Sequence, residues 1–443
     1  MRVIMNTYDI IDKKKKGLEL TRREIEEFIN GYVKGEVPDY CVAAWLMAVY
    51  YQGMTDQELL ILTDIMAKSG DQVDLSAIEG VKVDKHSTGG VGDKVTLAVA
   101  PIVAACGGKV AKMSGRGLGF TGGTIDKLEA IPGLRTTIPE DKFFKMVNQI
   151  GLAVMGQSAS IAPADKLLYA LRDVTATVDS IPLIASSVMS KKLAAGSDKI
   201  VLDVTVGSGA FMKDLQEAIS LAKKMIAIGE GAGRETVAIL TNMDLPLGCA
   251  VGNSIEIIEA IETLQGKGPE DFVEICRAIA AVMLELAGIG TIEECNGMVN
   301  QAIENGSALH KLAEMVSAQG GDVEYIYHPE KFKTAVIEKN LIAWEDGYVT
   351  QMNTEECGKA AVLLGAGRER KEDTIDMTAG IRFYQKTGAK VSKGDILATV
   401  YTSEIGRADA ALEKLKTSYL ISAVKPEPPK TILAYVTKNA VVE

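Results

Sequence analysis

Over residues 1–70, apolar positions recur with the spacing of helices. Two segments, TRREIEEFINGYV and TDQELLILTDIMAKSG, begin with a threonine that is followed three residues later by a glutamate. In this capping-box pattern, the threonine and glutamate side chains accept hydrogen bonds from backbone amides that lack a partner in the first helical turn. The segment between them, PDYCVAAWLMAVYYQG, is apolar on nearly all sides, which is typical of a buried helix. Residues 1–70 are therefore predicted to form a small helical domain.

From about residue 80 the pattern changes to short apolar runs that alternate with longer helical segments. Strands are predicted at 109–114, 151–156, 199–206 and 235–241, with helices between them. Strands of this kind indicate a mostly parallel sheet that is covered on both faces. We therefore expect an α/β domain over residues 71–335, with residues 163–193 packing onto the helical domain. Ligands of such sheets bind at the carboxyl ends of the strands, where glycine-rich segments occur here at 114–124 and 207–211.

After about residue 335, short β-like runs are separated by glycines. They are followed by one predicted helix, RADAALEKLKTSYLIS, and one predicted strand, KTILAYVT. Residues 336–443 are expected to form a separate C-terminal α+β domain. The predicted fold class is thus α/β. A small helical domain precedes the large α/β domain in the chain, and a C-terminal α+β domain follows it.

Composition narrows the classes of function. The net charge is −11, which argues against binding to nucleic-acid backbones, because these are held by basic surfaces. No stretch approaches the roughly 18–20 apolar residues of a membrane span, and the N-terminus lacks the apolar core of a signal peptide. Six scattered cysteines without a CxxC pair favour free thiols in a reducing compartment. We expect a cytoplasmic protein with neither nucleic-acid nor membrane partners.

Two glycine-rich segments carry the candidate chemistry: KVDKHSTGGVGDK, residues 82–94, and KMSGRGLGFTGGTIDKLEAIPG, residues 112–133. Glycine lets backbone amides approach an anion closely, and the start of a following helix adds a favourable dipole. Together the segments predict a pocket for a free phosphate. Taken singly, each serine or threonine could instead cap a helix or shape a turn. The candidate ligands in and just after these segments are a cation and four hydroxyls: Lys85, Ser87, Thr96, Ser114 and Thr124.

The second segment also contains a formal GxGxxG, from Gly117 to Gly122, which raises the alternative of a dinucleotide site. That motif should lead directly from a strand into a helix, with an acidic residue about 20 positions later at the end of a second strand. Here a further Gly-Thr precedes the helix, and Glu140 lies in a segment with a helical pattern. The first segment is not a P-loop either, because GGVGDKV lacks the Gly-Lys-Ser/Thr ending.

The segment VDKHSTGGVGDK, followed by SGRGLGFTGGTIDKLEAIPG, resembles the signature of the thymidine and pyrimidine-nucleoside phosphorylases. The resemblance covers essentially the whole chain. It implies a helical domain, an α/β domain and a β-rich C-terminal domain, assembled as a homodimer through the helical domains. Pyrimidine nucleoside and inorganic phosphate would bind in a cleft between the first two domains, and the cleft would close over them.

The resemblance also implies roles for individual residues. Catalytic roles fall to His86, Arg172 and Lys191. Arg172, Ser187 and Lys191 would recognise the base, and Ser187 and Lys191 are four residues apart, which places them on one helix face. The family commonly has histidine where this chain has Phe120. The phosphate ligands implied are Lys85, His86, Ser87, Thr96, Lys112, Ser114 and Thr124, and the apolar walls around the base are Leu118, Val178, Ile184 and Phe211.

Some bacterial members of that family hold a monovalent cation, so the resemblance also implies a potassium ion. Its ligands would be backbone oxygens of Gly92, Lys94, Leu247 and Ala250 together with the carboxylate of Glu259. No organic cofactor is expected.

The implied reaction is reversible phosphorolysis of uridine, thymidine or deoxyuridine to the free base and a pentose 1-phosphate. Phosphate is the nucleophile, which agrees with the lack of any Ser-His-Asp or Cys-His pattern. Arg172 and Lys191 would stabilise charge on the departing base, and His86 would donate a proton or a hydrogen bond to it. A magnesium-dependent phosphoribosyltransferase using Asp93 and Asp126, and a dinucleotide-dependent oxidoreductase, remain alternatives. The sequence leaves the choice between uridine and thymidine open.

Overall fold

The computed structural model describes residues 6–117, 122–158, 160–368, 370 and 373–443. Within these ranges, no helix is long and apolar enough to cross a membrane. The chain begins with a helical bundle, as predicted. Its helices are α1 Thr7–Lys15, α2 Arg22–Val33, α3 Asp39–Gln52 and α4 Asp56–Ala67.

Both predicted capping boxes are present. The hydroxyl of Thr21 caps α2 together with Glu24, and Thr55 caps α4 together with Glu58. Glu58 also accepts hydrogen bonds from the Lys14 ammonium of α1, at 2.9 Å, and from a backbone amide. The cap of α4 is therefore also the point that joins α1 to the bundle.

Helix α3 differs from its prediction as a helix buried on all sides. Only one face is buried, through Val42, Trp45, Leu46 and Val49. On the remaining surface two tyrosines are largely exposed, Tyr40 by 76% and Tyr51 by 77%. The prediction was wrong for the single chain, because the neighbouring helices cover only one side of α3.

The α/β part follows. Its strands are β1 Val83–Ser87, β2 Val110–Ser114, β3 Leu152–Gly156, β4 Lys199–Val206, β5 Glu235–Asn242 and β6 Ala250–Gly252. Its helices are α5 Val95–Ala105, α6 Thr124–Leu128, α7 Glu140–Ile150, α8 Pro163–Val174, α9 Ile181–Ala194, α10 Leu215–Gly231, α11 Ser254–Leu264, α12 Glu270–Leu286, α13 Ile292–Glu304, α14 Ser307–Ala318 and α15 Glu324–Tyr327.

The strands pair in parallel, as predicted, but not in one continuous sheet. Strands β1, β4 and β5 form the central parallel ladder, in which Lys85 lies opposite Val201. Strands β2 and β3 form a separate parallel pair, joined to the first by a single bridge between Lys82 and Lys109. All four predicted strands are present. The carboxyl ends of β1 and β2 both lead into the glycine-rich segments.

Strand β1 was not predicted, because its residues were assigned to the first glycine-rich segment, residues 82–94. It carries Asp84 and Lys85, both of which are buried. Each of these charges is paired with an oppositely charged side chain inside the protein. The strand therefore lacks the continuous apolar pattern by which a buried strand is recognised in a sequence.

Two apolar clusters cover the central ladder. Helices α5 and α12 belong to one cluster, and α4, α9 and α10 belong to the other. Helices α8 and α9 also pack against α4, and α8 contacts α2 and α3. Residues 163–193 thus lie against the helical bundle and form one wall of the cleft.

The C-terminal part contains α16 Thr354–Leu364, α17 Ile405–Lys416, β7 Ile337–Ile342, β8 Gly347–Met352, β9 Gly380–Phe383, β10 Lys390–Val391, β11 Ile396–Thr402, β12 Tyr419–Ser422, β13 Ile432–Val436 and β14 Val441–Val442. Strand β12 lies where the sequence predicted a continuation of α17. Two strands lie in the sheet of the other part: β6 pairs with β9, and β13 pairs antiparallel with β5. The change in sequence pattern near residue 335 therefore does not separate the sheets.

Candidate active site

A cavity of about 260 Å³ lies between the carboxyl ends of β1 and β2 and the helices α8 and α9. A larger groove of about 780 Å³, beside β5 and α12, contains none of the predicted site residues. Leu118 and Phe120 lie outside the described residues. Among the predicted site residues that the structure describes, the smaller cavity is lined by His86, Ser87, Thr96, Lys112, Ser114, Thr124, Arg172, Val178, Ile184, Ser187, Lys191 and Phe211.

One end of the cavity carries four hydroxyl groups. Ser87 ends β1 and Ser114 ends β2, while Thr96 lies in the first turn of α5 and Thr124 begins α6. The Ser87 hydroxyl accepts a hydrogen bond from the Gly89 amide at 3.1 Å. Hydroxyls and backbone amides that converge from strand ends and helix starts can donate to the oxygens of a phosphate.

Lys85 does not line the cavity, unlike the other predicted phosphate ligands that the structure describes. Its ammonium lies 2.9 Å from Asp203 and 3.6 Å from Asp93. Burial alone would lower the pKa of Lys85, but these two carboxylates outweigh it and raise the pKa. Burial would raise the pKa of Asp93, but Lys85 and Lys127 lower it to about 2. Lys85 therefore contacts the cavity wall through Asp93.

A second group of buried charges lies beside His86. The Lys112 ammonium is 3.0 Å from one oxygen of Asp84, and the Lys192 ammonium is 2.7 Å from the other. Burial lowers the pKa of Lys112 to about 7, although Asp84 acts in the opposite direction. Lys112 is therefore partly deprotonated near neutral pH, at the edge of a cavity rich in hydroxyl donors.

His86 is half-buried in the wall of this cavity. Its pKa is well below the usual value, first because of burial and then because of four nearby lysines: Lys192, Lys112, Lys191 and Lys85. The imidazole is therefore neutral at pH 7. Of the two predicted roles, a neutral ring fits hydrogen-bond donation and not transfer of a proton.

The opposite end of the cavity is cationic. The Lys191 ammonium donates to Asp165 and to the Ser187 hydroxyl, which is 3.2 Å away. The Arg172 guanidinium donates to the backbone oxygens of Val178, at 2.5 Å, and Leu183, at 3.0 Å. Arg172 therefore holds the connection between α8 and α9 in place while its side chain lines the cavity.

Two residues were missed from the sequence: Tyr169, which lines the cavity, and Asp165, which does not line it but contacts a residue that does. Tyr169 lines the cavity and its ring centroid lies 5.7 Å from the Arg172 guanidinium carbon; Asp165 holds Lys191. Asp165, Tyr169 and Arg172 have the i, i+4, i+7 spacing of one helix face, so the helical periodicity of α8 would have indicated them.

The carboxylates that a magnesium-dependent alternative would need are already paired within the protein. Asp126 accepts hydrogen bonds from Arg116 at 2.9 Å, from the Gly117 amide at 2.8 Å and from Arg368 at 3.0 Å. Asp93 is paired with Lys85. Within the described ranges, no group of three or more histidine, cysteine, aspartate or glutamate side chains could hold a metal ion. The donor set therefore does not fit this alternative.

The formal GxGxxG does not fit a dinucleotide site. Residues 118–121 of the motif lie outside the described residues, but both of its flanks are described. Strand β2 ends at Ser114, and α6 begins only at Thr124 and has five residues. The motif of dinucleotide-binding proteins leads directly into the helix that receives the pyrophosphate.

The residues predicted to hold potassium do converge, but on an ammonium group of the protein itself. The Lys94 ammonium lies 2.8 Å from the Gly92 oxygen, 2.7 Å from that of Leu247, 3.1 Å from that of Ala250 and 2.9 Å from the Glu259 carboxylate. The backbone oxygen of Lys94, predicted as a fifth ligand, instead accepts from the Leu97 amide. The arrangement therefore does not fit a bound potassium ion.

Comparisons with known proteins agree with this architecture. A profile described as "Glycosyl transferase family, helical bundle domain" matches residues 8–70, and "Glycosyl transferase family, a/b domain" matches residues 79–309. A third, "Pyrimidine nucleoside phosphorylase C-terminal domain", matches residues 348–422. Among solved structures, anthranilate phosphoribosyltransferase from Thermus thermophilus has a TM-score of 0.56 at 18% identity, covering 70% of this chain and 99% of its own. That likeness concerns the fold alone.

Two curated relatives are similar over nearly the full length. The protein from Geobacillus stearothermophilus is 51% identical over 97% of this chain and 99% of its own. The protein from Bacillus subtilis (strain 168) is 50% identical over 98% of this chain and 100% of its own. Both are named pyrimidine-nucleoside phosphorylase. Identity at this level over whole chains, with matching domains in the same order, shows that this chain belongs to the pyrimidine-nucleoside phosphorylase family.

Proposed function

We propose that the protein catalyses the reversible phosphorolysis of pyrimidine nucleosides to the free base and a pentose 1-phosphate. One observation carries the proposal: a single cavity has hydroxyl donors for an oxyanion at one end and two cations, Arg172 and Lys191, at the other. The names of the two full-length relatives support the same reaction.

At the hydroxyl end, inorganic phosphate binds among Ser87, Thr96, Ser114 and Thr124. One phosphate oxygen attacks the anomeric carbon of the sugar, and the bond from that carbon to the base nitrogen breaks. The electron pair of the broken bond leaves with the base. Holding both substrates in one cavity contributes proximity, because the reacting atoms need not meet by diffusion.

At the cationic end, the departing base carries the negative charge. Lys191, together with Ser187, is placed to bind polar atoms of the base, and neutral His86 donates a hydrogen bond to a base oxygen. A well-placed donor to developing charge is worth about 3–4 kcal/mol in the transition state. Lys191 is held for this role by Asp165.

The apolar walls of the cavity determine which base and which sugar the enzyme accepts. Val178, Ile184 and Phe211 line the cavity beside the cations. A methyl-sized difference in such a wall is worth only about 1–3 kcal/mol, so uridine, deoxyuridine and thymidine are all candidate substrates.

We infer a homodimer formed through the helical bundle. Tyr40 and Tyr51 of α3 are largely exposed, as is Tyr8 of α1, by 67%. Helices α1 and α3 pack against each other, so these tyrosines belong to neighbouring helices. Large exposed aromatic side chains grouped in this way are typical of an interface.

The test of the reaction is base release from uridine, thymidine and deoxyuridine, with and without inorganic phosphate, in EDTA. We expect release that requires phosphate and forms pentose 1-phosphate in equal amount. Release without phosphate, or from none of the three nucleosides, would contradict the proposal. Transfer from ribose pyrophosphate in magnesium would then be the next assay.

A further inference from the structure

Between the start of α5 and β6, a cage of buried oxygen atoms encloses the ammonium group of Lys94. Three backbone oxygens and one carboxylate lie 2.7–3.1 Å from the nitrogen. The Lys94 side chain has no solvent exposure, and the ring centroid of Phe272 lies 5.0 Å from the ammonium. The ammonium is therefore surrounded by oxygens and one aromatic face and is not exposed to solvent.

The backbone around the cage is folded too tightly for side chains. Gly92 has a φ of +80°, and a Cβ there would lie 2.6 Å from the Leu247 oxygen. Gly248 has a φ of +68°, and a Cβ there would lie 2.2 Å from a Glu259 carboxylate oxygen. Both positions favour glycine by conformation and by space. The backbone conformation at these glycines thus directs the three carbonyl oxygens at the position of the Lys94 ammonium.

The charges in the cage depend on one another. Burial would lower the pKa of Lys94, but Glu259, Glu256 and Asp271 outweigh it and raise the pKa, so the group is an ammonium. The Glu259 carboxylate also accepts hydrogen bonds from the Cys249 amide at 2.9 Å. Removing the ammonium would leave a buried carboxylate and three converging carbonyls without a cation, which is costly in a dry interior.

We propose that the Lys94 ammonium is a covalently attached monovalent cation, which occupies the oxygen cage and makes the protein independent of potassium. Carbonyl and carboxylate oxygens are the ligands that hard cations prefer, and an ammonium resembles potassium in charge and approximate size. Because the ammonium is tethered, no ion has to be recruited and none can enter.

The cage also positions the phosphate end of the cavity. Residues 88–94 connect β1 to α5, and the cage fixes this connection through the oxygen of Gly92. Asp93, which lines the cavity, lies between Gly92 and Lys94 in the chain. A cation in the cage is therefore needed for the geometry of the phosphate wall, and Lys94 supplies it without an ion from solution.

The first measurement is thermal unfolding in potassium, sodium and choline chloride at equal ionic strength. We expect the same midpoint for the unsubstituted protein in all three salts. Lys94→Ala empties the cage, so its midpoint should fall by several degrees in choline chloride and recover at least half of that loss in potassium chloride. Lys94→Met removes the charge but keeps the length of the chain, so it should lose stability equally in all three salts.

The control is Lys14→Ala, which removes another buried lysine, paired with Glu58 at 2.9 Å, outside any oxygen cage. Its loss of stability should be the same in each salt. Equilibrium dialysis with Rb⁺ as a potassium probe should show stoichiometric binding to Lys94→Ala and none to the unsubstituted protein.

The proposal would be overturned by a potassium-specific gain in midpoint of the unsubstituted protein or by its binding of Rb⁺. Equal midpoints of Lys94→Ala in potassium and choline would overturn it as well. If Lys94→Ala does not fold, the unsubstituted protein and Lys94→Met still decide the question. A midpoint of Lys94→Met that recovers in potassium alone would also count against the proposal, because the cage would then be open despite the filled space. These readouts do not depend on phosphorolysis, so their failure is distinct from failure of the proposed reaction.

Discussion

At the scale of single residues, Lys112 is expected to make the affinity for phosphate depend on pH. Its pKa is about 7 in the free protein, and a phosphate dianion nearby would raise it. At pH 8, where Lys112 is mostly neutral, we therefore expect phosphate binding to take up a proton, and phosphate affinity to fall as the pH rises above 7. Calorimetry at pH 8 in buffers of different ionisation enthalpy measures this uptake.

The matched variant for that measurement is Lys112→Arg, which keeps its charge at every pH used and should bind phosphate without proton uptake. If the heat of binding by the unsubstituted protein does not depend on the buffer, Lys112 is not the titrating group.

Asp165 gives a second prediction at this scale. It holds the Lys191 ammonium at the base end of the cavity, and Asp165→Asn removes the charge of that contact while keeping its shape. A hydrogen bond to a charged group is worth about 1.5–3 kcal/mol, so kcat/KM for the nucleoside should fall roughly 10- to 100-fold. KM for phosphate should not change, because phosphate binds at the other end.

Asp173→Asn is the control for that variant, because Asp173 lies on the same helix but is exposed. Steady-state kinetics with each substrate varied in turn separates the two ends of the cavity. An equal rise in KM for phosphate would mean that Asp165 supports the whole cavity and not Lys191 alone.

The sequence predicted residues whose role is local and missed contacts that depend on distant partners. Ser87 and Ser114 were predicted because hydroxyls among glycines indicate an anion site by themselves. The pairing of Lys85 with Asp203, and the place of the Lys94 ammonium beside Leu247, join segments more than 100 residues apart. No local pattern shows such pairs, so Lys85 was predicted to face the phosphate and Lys94 to contribute only its backbone.

At the scale of secondary-structure elements, Glu58 connects three parts of the bundle. Its carboxylate completes the cap of α4 and accepts from the Lys14 ammonium and the Leu20 amide. Glu58→Ala would leave Lys14 buried without its partner, and breaking a buried ion pair in this way costs about 3–5 kcal/mol. We expect a correspondingly large drop in the midpoint of thermal unfolding, followed by circular dichroism.

The control for Glu58→Ala is a substitution in a capping box that is exposed and makes no buried ion pair. Thr291 caps α13 through the same motif with Glu294, on the exposed surface. Thr291→Ala should cost only about 1 kcal/mol. Similar losses for the two variants would show that the contacts of Glu58 beyond its cap contribute little.

The same elements show which parts of the fold a sequence pattern can predict. The capping boxes of α2 and α4 were predicted because each is complete within four residues. Strand β1 was not, because its stability comes from buried charges that are paired by other segments: Asp84 binds Lys112 and Lys192. The apolar pattern of α3 predicted burial on all sides, whereas the bundle covers only one face of this helix.

At the scale of the whole molecule, the exposed face of α3 predicts the oligomeric state. We expect the protein to sediment as a dimer of its 47.3 kDa chain. The double variant Tyr40→Glu, Tyr51→Glu should sediment as a folded monomer, because both side chains are exposed and charge is costly in an interface core. Analytical ultracentrifugation with circular dichroism measures both properties.

Val424→Glu serves as the control, since Val424 is 73% exposed in the C-terminal part, away from the bundle. It should remain dimeric. A monomeric unsubstituted protein, or a dimeric double variant, would contradict an interface through α3.

The pairing of β13 with β5 has a consequence for how the protein is made. Strand β13 is residues 432–436 of a chain of 443, yet it forms a ladder with a strand of the central sheet. A ribosome releases the segments that form the cavity long before it releases this one. Until β13 has been synthesised, one edge of β5 is unpaired and able to join another chain. Termination before residue 432 would therefore remove β13 and damage the central sheet, even though every residue of the cavity had already been synthesised.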